Sequence, residues 1–230
     1  FCLSRGLGDV YKRQVLEVGA GPGTLTRGLA ARAARVVAVE LDRRLLGVLR
    51  EELTGVDNVE VVEGDILKLD TGALFPAGGE VVVGNIPYYL TGALVSRLLE
   101  RPRPPRRLSL VVQREVAERW TAETGGSLSS VAVQVLARPR LALRLPAAAF
   151  EPVPKVDSAL VVMDVRERPA VDVPDLQAFF RFVESVFQFR RKQLAGTLAR
   201  LTGSSREAAA AALTRLRIDP RRVFADNRYA

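Results

Sequence analysis

Residues 15–26, VLEVGAGPGTLT, lead from a short apolar run into a helical one through glycines at 19, 21 and 23. No other segment constrains the fold as much. Glycines here permit positive φ and let a ligand approach the backbone. A helix that starts just beyond them offers unpaired amides and a partial positive charge. Such a turn belongs to a doubly wound sheet that binds a nucleotide at its carboxyl edge. The spacing is G-x-G-x-G. The dinucleotide fingerprint needs Gly where Thr24 stands, and no Gly-Lys-Ser/Thr follows, so neither that fingerprint nor a P-loop fits. A tight strand–helix turn without a ligand would read the same.

The remaining pattern decides for a sheet. Strands are predicted at Val15–Gly19, Arg35–Glu40, Val59–Val62, Glu80–Gly84 and Leu108–Val112. Helices alternate with them at Thr24–Ala33, from Asp42 through Leu53, and from Thr91 through Leu99, with Thr24, Asp42 and Thr91 as N-caps. Helices at Arg114–Thr121 and Leu128–Ala137 follow, then strands at Leu141–Leu145 and Ala159–Val165 that should form an antiparallel edge pair. The alternation implies a mostly parallel seven-stranded sheet covered on both faces. Beyond Arg166–Pro174 only helical periods remain, at Asp175–Phe187, Arg191–Leu201 and Ser205–Leu216. The organisation expected is a leader at 1–14, non-native in character, a Rossmann-like catalytic domain at 15–168 and a small all-α domain at 169–230.

Acids stand where such a sheet would use them. Glu40 ends the second strand, 21 positions after Gly19, and can hydrogen-bond the ribose hydroxyls of a nucleoside. Asp65 follows the third strand and can accept from an adenine amine, with the Ile66 amide facing the ring. Glu17 can meet a ligand's ammonium group. Taken singly each is an ordinary surface acid; at successive strand ends they mark a site for a nucleoside bearing an amino acid.

The fourth strand closes on Asn85-Ile86-Pro87-Tyr88. The lone pair of an adenine amine is delocalised into the ring, so the amine is a poor nucleophile. Acceptors from the Asn85 side chain and the Ile86 carbonyl can hold its protons and localise that lone pair. Pro87 stiffens the turn and has no N–H. Tyr88 offers a face to a base. Phe150, in AFEPVPKVDSALV, can cover the other face, and Lys155 can touch phosphate. Asp157 and Ser158 read as turn-shaping residues.

Composition narrows the chemistry. The chain has no His and one Cys, which excludes His-based triads, His metal sites and an intrachain disulfide. A reducing cytoplasm, no metal and no membrane span are expected. The formal charge of +8 over 230 residues fits either a solvated basic surface or a phosphate-binding face.

With EVGAGPGTLT, VVAVELD, EGDILKLD, GNIPYYLTG, VVQREVAERW, FEPVPKVDSALVV and FQFRRKQLAGTL in view, the chain resembles the ribosomal RNA adenine dimethyltransferases over roughly residues 15–200. The resemblance implies S-adenosylmethionine-dependent dimethylation of two adjacent adenines near the 3′ end of small-subunit rRNA, on a 30S assembly particle, by a monomer. It implies cofactor contacts from Glu17, Gly19, Gly21, Gly23, Glu40, Leu41, Asp65, Ile66 and Asn85. Asn85, Ile86, Pro87, Tyr88 and Phe150 would form the catalytic pocket, and Lys155, Arg190, Arg191 and Lys192 would face RNA. Two departures stand out: the family's opening Gly-Gln-x-Phe-Leu segment is absent, and its helical end is longer. The macrolide-resistance methyltransferases of large-subunit rRNA share the catalytic motifs. The FxPxPKVDS and QREVAERW segments favour the small-subunit group. Two further readings compete with it: a non-catalytic RNA-binding assembly factor that keeps the fold, and a small-molecule methyltransferase.

Overall fold

A computed structural model of the chain describes residues 13–123, 126–189 and 191–223. They divide into two compact units. The first holds the described residues through Thr121 together with Val133–Ala170; the second holds those among Ala122–Ala132 and from Val171 onward.

The first unit is built on a seven-stranded sheet in the order β3-β2-β1-β4-β5-β7-β6. Its strands are β1 (Gln14–Val18), β2 (Arg35–Glu40), β3 (Val59–Glu63), β4 (Val81–Asn85), β5 (Arg107–Gln113), β6 (Ala137–Leu145) and β7 (Ser158–Val165). The first five are parallel, and β7 runs antiparallel to both β5 and β6. Parallel strands are buried on both faces, which explains continuous runs such as VVAV in β2 and VVV in β4. Helices α1 (Thr24–Ala30), α2 (Arg43–Glu52), α3 (Thr71–Leu74), α4 (Thr91–Leu99) and α5 (Arg114–Thr121) accompany the sheet. Leu29 of α1 packs with Val15, Val36, Val81 and Val83. Leu46 and Leu49 of α2 pack with Ala20 and Ala38 on the same face, since Val36 and Ala38 are two apart on β2. Helix α6 (Leu128–Leu136) runs straight into β6.

The second unit contains α7 (Leu176–Phe187), α8 (Leu194–Thr202) and α9 (Arg206–Arg215). Asp175 caps α7 by accepting from Ala178 N, and Ser205 caps α9 by accepting from Ala208 N. Gly203, at φ 70°, ends α8 in the left-handed conformation. No helix among the described residues is long and apolar enough to cross a membrane.

Several expectations need correction. Gly23, with φ 94°, and not Thr24, occupies the N-cap of α1. Thr91 lies inside α4 and is buried; the cap is Leu90, with no side-chain bond. Asp42 does cap α2, accepting from Arg44 N at 2.9 Å. Strand β6 begins at Ala137 rather than Leu141 and carries Pro139. It is the edge strand, where a residue without an N–H is tolerated. Gln14 opens β1, whereas the sequence places it in the leader; residues 1–12 of that leader lie outside the described residues.

Candidate active site

The direction of strand order reverses between β1 and β4, and the glycine loop leaves the sheet at that switch point. Val18 pairs with Gly84, so Gly19 and Asn85 emerge side by side. A Cβ on Gly19 would lie 3.8 Å from the Asn85 carbonyl oxygen. One on Gly84 would lie 2.8 Å from the Val18 carbonyl oxygen, closer than a carbon can sit. Only glycine lets the two strand ends meet. Gly19, Gly21 and Gly23 all have positive φ (70°, 59° and 94°), and the space around Gly21 is open.

Glu40 holds this loop in shape. One carboxylate oxygen accepts from Gly21 N at 2.8 Å; the other accepts from Leu41 N and Asp42 N, each at 2.8 Å. A carboxylate has about four acceptor positions. Three are used, leaving one on the oxygen that faces the loop. Sequence reasoning treats Glu40 as a free acid for two hydroxyls; the fold makes it a loop clamp with one acceptor position to spare.

Glu17 is 1% exposed, and its Oε2 has no hydrogen-bond partner among the described residues. Burial pushes its carboxyl up to about 7; the nearby Thr26 hydroxyl pulls it down somewhat and the Glu40 carboxylate pushes it further up. Asp65 follows β3; its Oδ1 accepts from Leu67 N at 3.0 Å and its Oδ2 stands 3.7 Å from Lys68 Nζ. Ile66 is buried and Leu41 is 61% exposed.

Asn85 ends β4 with its side chain exposed, while Ile86 is buried. Pro87 precedes a 3₁₀ turn at Tyr88–Leu90, closed by Leu90 N donating to Pro87 O at 3.0 Å. The Tyr88 hydroxyl lies 2.9 Å from Ser158 Oγ, and Ser158 is fully buried at the start of β7. Phe150 ends a second 3₁₀ turn, Ala147–Ala149, and packs against Val111, Leu160 and Val162. Asp157 ties that turn to the end of β5: its carboxylate accepts from Ala147 N at 3.1 Å and from Arg114 Nη1 at 3.0 Å. The two aromatic segments are therefore both anchored at the β5–β7 edge. Ser158 reads as a turn residue in the sequence; its part in fixing the Tyr88 ring has no local signal, because the partner is 70 positions away.

Lys155 is exposed on the same loop. Arg191 and Lys192 are exposed in the second unit, and Arg190 lies outside the described residues. Tyr89, 81% exposed beside Tyr88, carries no sequence expectation.

A glycine loop at the switch point of a 3-2-1-4-5-7-6 sheet, with acids on the neighbouring strand ends, defines a Rossmann-like methyltransferase. Residues 10–230 match the family described as ribosomal RNA adenine dimethylase, and the chain belongs to that family. It is 44% identical over 223 residues to the ribosomal RNA small subunit methyltransferase A of Pelotomaculum thermopropionicum, covering 90% of this chain and 75% of the relative. The protein of that name from Moorella thermoacetica is 41% identical over 220 residues, covering 90% and 76%. Among solved structures, the 23S rRNA methyltransferase ErmE aligns with a TM-score of 0.78 at 32% identity, covering 97% of this chain and 89% of that one. A dimethyladenosine transferase from Plasmodium falciparum shares the fold, with a TM-score of 0.78 at 23% identity and coverage of 96% and 89%. The chain is thus an rRNA adenine methyltransferase by family.

Proposed function

We propose that this enzyme dimethylates N6 of two adjacent adenines near the 3′ end of small-subunit rRNA, acting as a cytoplasmic monomer on an assembling 30S particle. One observation carries the reading: Asn85 emerges directly beside Gly19 across the switch point, so the group that grips the amine adjoins the loop that cradles the cofactor. Relatives named for the small subunit are more similar to the chain than ErmE, at up to 44% against 32% identity, which favours the small-subunit substrate. In this reading residues 15–168 are the catalytic domain and 169–230 a helical RNA-facing domain.

The residues present fit S-adenosylmethionine. The orphaned Glu17 oxygen suits its ammonium group, and the remaining Glu40 acceptor position suits a ribose hydroxyl. Asp65 can accept from the adenine amine, with Leu41 and Ile66 offering apolar faces to the ring. The glycines leave room for a ligand against the backbone. When bound, this cofactor supplies a methyl group on a sulfonium, already activated as an electrophile.

The chain then has to position the nucleophile. The target adenine must leave its stack to enter. Tyr88 and Phe150 take its two faces, and Tyr88 is held in place by Ser158. The N6 protons are donated to Asn85 Oδ1 and the Ile86 carbonyl oxygen, which favours a localised lone pair. Positioning and electrostatics are the main contributions. The alkylated amine is a strong acid and gives its proton to solvent, so the absence of histidine is no obstacle. Lys155, Arg191 and Lys192 contact phosphates.

Incubation with labelled cofactor and unmethylated small- or large-subunit particles tests this. The expected label lies on two adjacent adenines near the small-subunit 3′ end; label confined to large-subunit rRNA, or none on either, overturns it.

A further inference from the structure

The aromatic residue that follows Tyr88 has no part in the machinery described so far. Tyr89 is 81% exposed, the highest value of any large hydrophobic side chain among the described residues. Among those residues no hydrogen bond or ring contact holds its side chain. Tyr88 and Tyr89 open the same 3₁₀ turn. Such a turn has about three residues per turn, so consecutive side chains leave it roughly a third of a turn apart. The bond to Ser158 Oγ at 2.9 Å draws the Tyr88 ring toward the start of β7. Tyr89 turns away from that anchor and leaves its ring to solvent.

A single exposed apolar side chain is ordinary on a protein surface. Tyr89 is not single. Val153 is 64% exposed and Val156 is 43% exposed, and both stand on the loop between Phe150 and β7. Strands β4 and β7 flank β5, so the loop after β4 and the loop before β7 lie on either side of the carboxyl end of β5. The residues assigned above to the target base, Asn85, Tyr88 and Phe150, belong to these same two loops. Exposed apolar side chains thus edge the place where a base is bound, with Lys155 exposed among them. A second base, apolar on its faces and polar at its rim, suits that edge.

The reaction creates a need for such a surface. An adenine drawn out of its stack leaves its neighbour with one face bare, and this unstacking is a main cost of extrusion. An aromatic side chain beside the pocket can restore the lost stack. We infer that Tyr89 is a stacking platform for the nucleotide adjoining the target adenine, covering the face that the extruded base uncovers. In the substrate proposed above that nucleotide is the second adenine. The inference rests on that reading and deepens it. Tyr89 is a positioning residue: it acts on the RNA beside the reacting base and touches neither the amine nor the cofactor.

The variants Tyr89→Ala, Tyr89→Leu and Tyr89→Phe test it in the full chain. Single-turnover transfer is titrated with unmethylated small-subunit particles. In parallel, rRNA fragments from the small-subunit 3′ end carry 2-aminopurine in place of one or the other of the adjacent adenines. Stacking quenches the fluorescence of this base, which is read in complexes with the demethylated cofactor. Because the side chain is exposed, the melting temperature should not fall in any variant. Tyr89→Ala should raise the half-saturating particle concentration about tenfold, toward the low end of what losing one base–aromatic stack costs. The rate at saturation should fall far less. At least one fragment should be brighter in its Tyr89→Ala complex than in its wild-type complex. Tyr89→Phe should restore both readouts, and Tyr89→Leu, apolar but without a π-face, should restore neither. Transfer by the wild type with equal brightness of both fragments in the wild-type and Tyr89→Ala complexes would overturn the platform alone, as would a Tyr89→Leu variant that matches the wild type. No transfer by the wild type to small-subunit rRNA would overturn the substrate reading, and the platform that rests on it.

Discussion

Glu17 is a carboxyl buried where a charge is expensive. Its neighbour Glu40 spends most of its acceptor capacity on loop amides, so the two acids behave differently although both end up against the same loop. A carboxyl raised from 4.5 to about 7 by burial stabilises the fold fully below about pH 4.5, while it is protonated in both states. That contribution is lost as pH rises from about 4.5 to about 7. The size is on the order of 3 kcal/mol. The melting temperature of the cofactor-free protein should therefore fall across that window, and Glu17→Gln should flatten the fall. A wild-type profile parallel to that of the variant would show that Glu17 is not the group responsible. At the same scale, the places of Asn85 and Glu40 at strand ends are legible in the sequence, whereas the loop amides that occupy Glu40 are not. The bond between Tyr88 and Ser158 is not, because it depends on β7 lying antiparallel beside β5.

Among elements, the parallel strands declare themselves through runs of branched apolar residues, and Asp42 caps α2 where the sequence places it. The start of β6 is hidden because the apolar period of α6 continues to Ala137, and Pro139 argues against a strand unless the strand is known to be at an edge. Thr24 and Thr91 resemble caps, yet the backbone around Gly23 and Leu90 makes the turn without them. The loop before β4 contains a further feature that only packing shows. Glu80, with its side chain fully buried, pairs with Arg101 just after α4, whose side chain is 10% exposed. Arg101 also donates to Thr71 Oγ1 at 3.1 Å. Removing one member of such a pair leaves a buried charge unmatched. Arg101→Met should lower stability by about 3–5 kcal/mol in denaturant titrations while leaving the cofactor site intact. A loss below about 1 kcal/mol would mean that water reaches Glu80 and that the pair behaves as a surface bridge.

For the whole molecule, the formal charge of +8 fits a solvated basic surface as well as a phosphate-binding face. In the second unit Arg191, Lys192, Arg200 and Arg206 line one cavity, with no acid among its described lining residues. The most direct measurement of transfer is single-turnover methylation of rRNA by Asn85→Ala at saturating RNA, with RNA affinity measured on the same preparation. Loss of the side-chain acceptor should slow transfer by about 10²–10³-fold while RNA binding stays at the wild-type level. Transfer at the wild-type rate would show that the amine is held by something other than Asn85, and the proposed site would be wrong.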